Sequence, residues 1–206
     1  LLSHLHIDHT MGLGFFLPLY NPNVEIHIWG PCTTIEPLLQ RLRRYFSPPL
    51  FPVRLSELPK HPVIHELSNS EFTIGDLEVK SNYICHPGPT LAFKISTENA
   101  SFAYMPDHEV VLGSANFPYE PEWTSGYDIA KDVDLLFHDS QYRSEEYAAR
   151  VGWGHSSIKD SVEFAKMCNV KRMELFHHDP LHTDQQLEKI MSDLKSQVKT
   201  DFPVEL

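Results

Sequence analysis

The chain has few cysteines, no long apolar run and no basic excess, and each shortage excludes a class of protein. Its three cysteines, Cys32, Cys85 and Cys168, are odd in number and widely spaced, which is not the pattern of a disulfide framework. A reducing, cytoplasmic compartment is therefore expected. No apolar run approaches the roughly eighteen residues that a membrane span needs, and no basic, apolar leader precedes the first strand. We expect no membrane partner.

The charge balance argues against nucleic acid as the main partner. The net charge is −11, whereas proteins that hold nucleic acid through its phosphates usually carry a basic patch. The dense basic cluster of Arg41, Arg43 and Arg44 falls within one predicted helix and is better explained as a solvated face. With 206 residues, 41% apolar and 22% charged, the composition is that of an ordinary globular domain. We predict a single domain over residues 1–206.

Histidine is the abundant residue type, with 13 copies, and three of them flank an aspartate near the start of the chain. The segment His4-x-His6-x-Asp8-His9 lies between an apolar pair and an apolar run. Alternate side chains of an extended segment share a face, so His4 and His6 point together, and Asp8 and His9 follow after a bend. Imidazole and carboxylate suit zinc, manganese or iron. Four such ligands are too many for one catalytic ion with open positions, so the pattern predicts two metals.

Three further candidate ligands follow predicted strands. His86 comes after an apolar strand and precedes a Pro-Gly turn, Asp107 ends a short strand, and His177 ends the last strand. Functional residues in layered α/β folds sit on such loops, held by a rigid sheet. Because spacing does not separate adjacent histidines, His178 stays open as an alternative to His177.

Periodicity supplies the remaining elements. It predicts strands over 24–29, 63–67, 71–74, 77–84, 91–96, 101–104, 133–137 and 171–176, and helices over 12–17, after Thr33 or Thr34, over 145–150, after Ser156 or Ser157, and after Thr183. The proline-rich segment 47–53 is predicted as a loop, either a stiff connector or a wall of the substrate pocket.

The first motif and the later strand-end ligands resemble the metallo-β-lactamase superfamily of dinuclear hydrolases. The resemblance implies an α/β fold, a four-layer αββα sandwich that would here lack its first N-terminal strands. It implies two divalent metal ions, with zinc expected and manganese or iron as alternatives. It assigns one metal to His4, His6 and His86, the other to Asp8, His9 and His177, and both to Asp107.

A second pair of motifs resembles the phosphodiesterase branch of this superfamily, which includes ribonuclease Z. The segments beginning at His138 and Gly154 resemble its His-Glu-Ala-Thr and His-Ser-Thr motifs, with Asp139 in place of the glutamate. The resemblance implies a bridging hydroxide as nucleophile and His155, oriented and kept protonated by Asp139, as general acid. Asp8 is expected to be catalytic as well as a ligand.

The resemblance also constrains the substrate. Ribonuclease Z carries a long tRNA-gripping arm in the interval that here runs only from His86 to Asp107, so a small phosphodiester, such as a cyclic nucleotide or cyclic phosphate, is the expected substrate and nucleic acid is not. A homodimer is left open.

Two alternative functions remain. One alternative is a thioester or lactone hydrolase of the same fold, which would not need His155 and its partner. The other is a non-catalytic metal-binding sensor domain of a longer protein. An iron-sensing version of such a domain would be expected to replace a histidine of the first motif by a carboxylate, whereas all three histidines are present here.

Overall fold

The computed structural model describes residues 1–114 and 116–206 and divides the chain into two compact units, Leu1–Ser68 and Asn69–Leu206. Each unit has its own cluster of buried apolar side chains. The single domain expected over residues 1–206 stays a prediction.

The first unit contains a two-stranded parallel sheet and one helix of two turns. Strand β1 (His27–Pro31) pairs with β2 (Val63–Leu67). A single turn, α1 (Ile7–Thr10), precedes them, and α2 (Leu38–Tyr45) lies between them in sequence. Their shared core is formed by Leu19, Ile28, Leu38, Leu42, Phe46, Phe51, Leu55 and Leu58.

Two predictions in the first unit are wrong in detail. Helix α2 begins after Pro37 rather than after Thr33 or Thr34, because the residue before a proline avoids the helical conformation. The Thr33 hydroxyl instead closes a turn with the backbone of Glu36. Ile35, which the predicted helix would have included, consequently precedes α2 and is 94% exposed.

The helix expected over 12–17 is replaced by two 3₁₀ segments, Met11–Phe15 and Leu17–Tyr20. Two glycines weaken the helix here, and Gly14 serves a different purpose. A Cβ at Gly14 would lie 2.5 Å from the ring of Phe51, so the glycine admits that ring to the core. Phe51 is therefore a core residue, which favours the connector interpretation of the 47–53 loop.

The second unit is built on a seven-stranded mixed sheet. Its strands, in spatial order, are β3 (Ser70–Ile74), β4 (Leu77–Tyr83), β5 (Leu91–Ser96), β6 (Ser101–Met105), β7 (Leu135–Asp139), β8 (Met173–Phe176) and β9 (Val204–Glu205). Pairing is antiparallel from β3 to β6 and parallel from β6 to β9. The helices are α3 (Tyr127–Ala130), α4 (Ser144–Tyr147), α5 (Ile158–Met167) and α6 (Asp184–Gln197).

Strand direction explains why the candidate residues of this unit meet. Strands β4, β6, β7 and β8 all run the same way, so their carboxyl ends lie at one edge of the sheet, which we call the carboxyl edge. The residues that follow or end these strands are His86, Asp107, Asp139 and His177. The sheet therefore delivers four candidate side chains to the same side.

The predicted starts of the two longest helices are confirmed. The Ser157 hydroxyl accepts the Asp160 N–H at 3.1 Å and caps α5. Thr183 and Gln186 form a reciprocal capping box at the start of α6. The predicted stripe of α5 is buried. Within the described part of the chain, no helix combines the length and apolar character that crossing a bilayer requires.

Candidate metal centre

In the first unit, the four candidate ligands of the first motif lie close together. The ring centroid of His4 is 4.5 Å from that of His6 and 4.3 Å from that of His9. Asp8 Oδ2 lies 3.3 Å from His9 Nε2. Because α1 begins at Ile7, His4 and His6 come from extended chain and Asp8 and His9 from the helical turn. This is the bend that the sequence predicts.

In the second unit, the carboxylate of Asp107 lies between two imidazoles. Its Oδ2 is 3.6 Å from His86 Nε2, and its Oδ1 is 3.7 Å from His177 Nε2. The Asp107 side chain is only 2% exposed. These distances exceed those of a hydrogen bond, and nitrogen and oxygen donors at this spacing suit a shared transition-metal or zinc ion. The residues present thus fit a divalent metal, which Asp107, His86 and His177 would help to hold.

The backbone at His177 is turned to aim its side chain. Strand β8 ends at Phe176, and His177 then adopts a left-handed conformation with φ of 57°. Such a conformation is uncommon outside glycine and tends to occur at functional sites. Of the adjacent pair, His177 is the one whose ring nitrogen faces Asp107, while burial lowers the pKa of His178. Of the two histidines that spacing did not separate, His177 is therefore the one placed next to Asp107.

A backbone carbonyl orients His86. Its Nδ1 lies 2.9 Å from the carbonyl oxygen of Gly154, so Nδ1–H donates there and Nε2 is directed at Asp107. Hydrogen bonding of this kind to the second ring nitrogen is usual for a metal-binding histidine. Gly154 has φ of 90°, and a Cβ there would lie 2.2 Å from His86 Nδ1. The absence of a side chain at Gly154 therefore leaves room for the ring of His86.

The predicted pair of His155 and Asp139 is formed. His155 Nδ1 is 2.7 Å from Asp139 Oδ2, and Asp139 is fully buried. Asp139 also accepts the N–H groups of His108 at 2.9 Å and Gln141 at 3.0 Å. Burial raises the pKa of Asp139, and these donors oppose that rise.

The ring of His155 also lies beside the candidate metal ligands. It stacks on His177, with centroids 5.0 Å apart and planes within 8°, and packs edge-on against His86 at 5.1 Å. Nitrogen or oxygen atoms of Asp107, His155 and His177 all lie within 4.8 Å of one another. A proton donor at His155 would therefore stand next to the candidate centre.

Two further buried histidines, His108 and His138, form hydrogen bonds next to Asp139. His138 Nδ1–H donates to the Asp139 carbonyl at 2.7 Å, so its Nε2 accepts from His108 Nδ1–H at 2.9 Å. Burial lowers the pKa of His138 to about 4 and that of His108 well below its usual range, so both are neutral at pH 7. The sequence suggested a supporting role for His108 only from its position after Asp107.

Sequence reasoning missed Glu109, which is 1% exposed and accepts hydrogen bonds from the loop that carries His155. In the sequence, Glu109 follows a predicted strand, as many solvated acidic residues do. The one available signal was the pair Gly152 and Gly154, because glycines let backbone amides approach a buried acceptor.

A family model described as "Beta-lactamase superfamily domain" matches residues 1–178. The ribonuclease Z of Thermococcus gammatolerans is 24% identical over 216 residues, covering 85% of this chain and 65% of that protein. The ribonuclease Z of Thermococcus onnurineus is 23% identical over 246 residues, covering 98% of this chain and 76% of that protein. The second alignment is longer than the 206 residues of this chain, so that relative has insertions that this chain lacks. The chain spans just under two thirds of the first relative.

Solved structures show the same fold. The metallo-beta-lactamase fold protein YhfI from Bacillus subtilis aligns with a TM-score of 0.66 at 16% identity, covering 98% of this chain and 72% of that one. The short form of human tRNase Z aligns with a TM-score of 0.65 at 20% identity, covering 100% and 74%. A diphosphatase from the PhnP family gives 0.62 at 16%, covering 98% and 66%. These similarities confirm the predicted α/β metallo-β-lactamase fold.

Proposed function

The chain belongs to the beta-lactamase superfamily, and from this premise we propose that it is a metal-dependent hydrolase that cleaves the phosphodiester bond of a small molecule, such as a cyclic nucleotide or cyclic phosphate. One observation carries the proposal. The Asp107 carboxylate faces His86 with one oxygen and His177 with the other, and the His155–Asp139 pair stands beside it.

We propose two divalent ions as cofactors, most simply zinc, with manganese or iron as alternatives. The proposed ligands are His4, His6, Asp8, His9, His86, Asp107 and His177. When bound, such ions lower the pKa of water towards neutrality and stabilise developing negative charge on phosphate oxygens. Asp8 is proposed both as a ligand and as a catalytic residue.

The chain itself would supply the proton for the leaving group. Asp139 accepts Nδ1–H of His155, so Nε2 is the ring nitrogen that would face the substrate. A carboxylate neighbour favours the protonated imidazole. His155 would then donate its Nε2 proton to the departing alkoxide, which is general acid catalysis.

The segment between His86 and Asp107 supports a proposal about the size of the substrate. The interval between His86 and Asp107 is occupied by strands β5 and β6 and a tight turn, in which the Thr97 N–H donates to the Ala100 carbonyl at 2.8 Å. A hairpin this compact supports a small substrate. The acidic composition, with 28 acidic against 17 basic residues, supports it further.

The ribonuclease Z relatives favour a second candidate, cleavage of an RNA phosphodiester. It shares the bond and the proposed residues and differs in the substrate. A thioester or lactone hydrolase is favoured less, because such a reaction has no use for the His155–Asp139 pair.

The test is a substrate panel with zinc-reconstituted protein: bis(p-nitrophenyl) phosphate, cyclic nucleotides, a precursor tRNA, a thioester and a lactone. We expect turnover of the small diesters alone, and its loss in Asp107→Ala. Asp134→Ala is the matched control, since Asp134 binds Ser101 and Lys171 at the start of β7, away from the carboxyl edge. Cleavage of the tRNA alone would establish the second candidate. Turnover of the thioester or lactone alone, or no turnover with two zinc ions bound, would overturn the proposal.

A further inference from the structure

A buried glutamate two positions after Asp107 binds the loop that carries His155. Glu109 is 1% exposed. Its Oε1 accepts the Tyr147 hydroxyl at 2.8 Å and the Gly152 N–H at 2.8 Å. Its Oε2 accepts the Gly154 N–H at 2.8 Å and lies 3.0 Å from the Gly152 nitrogen. Three donors thus converge on one carboxylate.

Glu109 is itself fixed next to the candidate ligands. Its N–H donates to the carbonyl of Cys85 at 2.9 Å, and Cys85 directly precedes His86. The side chain and backbone of Glu109 therefore connect three segments at the carboxyl edge: the end of β4, the end of β6, and the 152–154 loop.

The 152–154 loop and the residue that follows it make two hydrogen bonds at the proposed site. The Gly154 carbonyl accepts Nδ1–H of His86 at 2.9 Å, and the next residue, His155, places its Nδ1 2.7 Å from Asp139. Gly154, whose N–H donates to Glu109, thereby orients one proposed metal ligand through its carbonyl and directly precedes the proposed general acid.

We propose that Glu109 is a positioning residue that orients His86 and His155 by anchoring the 152–154 loop. The inference rests on the proposed function, in which those two histidines bind metal and donate a proton. An apolar side chain would fill this space without the cost of burying a charged group. The carboxylate is needed because it alone can accept all three donors, and removal of such supporting contacts typically costs about 10-fold to 100-fold in metal affinity.

The test is zinc titration of the metal-free protein in competition with a chelating indicator, for Glu109→Ala and Glu109→Gln. The glutamine keeps the shape, but its amide nitrogen cannot accept, so one glycine N–H loses its partner. Both variants should bind one of two zinc ions more weakly, by about 10-fold to 100-fold for alanine and less for glutamine. Tyr147→Phe is the matched control, because it removes one donor from Glu109 and leaves the two glycine contacts. It should bind zinc like the wild type.

On a diester that the wild type hydrolyses, the glutamine variant should show a lower kcat at unchanged KM. Circular dichroism confirms that each variant is folded, and if the alanine variant is not, the glutamine variant decides. Wild-type zinc affinity in Glu109→Gln, or an equal loss in Tyr147→Phe, would overturn the inference and leave Glu109 a purely structural residue. Because zinc binding needs no turnover, this result is separate from a failure of the phosphodiesterase proposal.

Discussion

His155 has one ring nitrogen bonded to Asp139 and one ring face against His177, which limits its chemistry to the remaining nitrogen. If it protonates the leaving group, its removal should matter most when the leaving group is a poor one. We predict that His155→Ala lowers kcat by about 10²-fold to 10⁴-fold on a cyclic nucleotide and far less on bis(p-nitrophenyl) phosphate, whose leaving group departs without a proton. Steady-state kinetics on the two substrates checks this.

His61→Ala is the control for that comparison, since His61 is exposed and contacts only the backbone of Ser56 among its described hydrogen-bond partners. It should leave both rates unchanged. Equal losses on the two diesters in His155→Ala would assign His155 to substrate or metal binding instead of proton donation.

His138 gives a prediction for pH. Burial lowers its pKa to about 4 in the folded protein, whereas an unfolded histidine titrates near 6.5. As the pH falls between these values, the unfolded chain takes up a proton that the folded chain does not. The free energy of unfolding should therefore decrease on acidification, by about 3 kcal/mol at most from this residue.

Urea unfolding of metal-free protein at pH 7 and pH 4.5 measures that decrease. His138→Gln should show a smaller decrease than the wild type, and His61→Gln the same decrease. If the free energy of unfolding of His138→Gln decreases as much as that of the wild type, the histidine is protonated inside the fold.

At the residue scale, the candidate ligands were predictable because their side chains are chemically distinctive and recur at strand ends. His86 and Asp107 needed no knowledge of contacts, whereas His177 was not separated from His178 by spacing. Glu109 was not predicted, because its role depends on backbone N–H groups more than 40 positions later, for which the glycine pair at 152 and 154 is only an indirect signal.

At the scale of elements, the 152–154 loop contains a matched pair of glycines. Gly152 has φ of 85° and open space around it, while Gly154 has φ of 90° and no room for a Cβ beside His86. We predict that Gly152→Ala destabilises the protein by about 1–2 kcal/mol, the cost of a left-handed conformation, and that Gly154→Ala destabilises it more, because its Cβ would overlap His86. Only Gly154→Ala should also weaken zinc binding.

Thermal unfolding and zinc titration of both variants separate the two effects. The two variants are compared because a general increase in loop flexibility would weaken zinc binding in both of them. Equal zinc affinities for Gly152→Ala and Gly154→Ala would contradict the assigned role of the Gly154 carbonyl at His86.

Element boundaries were predictable where a local signal was unambiguous. The capping residues Ser157 and Thr183 begin α5 and α6 as expected. The start of α2 was missed because Pro37 and a threonine turn compete with a plausible cap. The 3₁₀ segments over residues 11–20 were not predicted because Gly14 leaves room for the ring of Phe51. This is a tertiary contact, which the local sequence does not show.

For the whole molecule, the two units differ in their capacity to fold alone. The second has a seven-stranded sheet and the larger buried cluster, whereas the first has two strands and a cluster of eight buried apolar residues. Two-stranded sheets are marginal by themselves. We predict that residues 69–206 unfold cooperatively as an isolated fragment and that residues 1–68 do not.

Urea titrations of the two fragments, followed by circular dichroism, test this prediction. A sigmoidal transition with a slope appropriate to its size is expected for residues 69–206. A gradual, non-cooperative change in that fragment would show that its sheet depends on the first unit.

The direction of the strands also gives the molecule a convenient site for chemical labelling. Since β5 runs opposite to β6, the turn at Glu98 lies at the other edge of the sheet from Asp107, separated by the five residues of β6, or about 17 Å of strand. Glu98 is exposed. A cysteine introduced at this turn would carry a fluorophore, or attach the protein to a sensor chip, while the carboxyl edge stays open to solution.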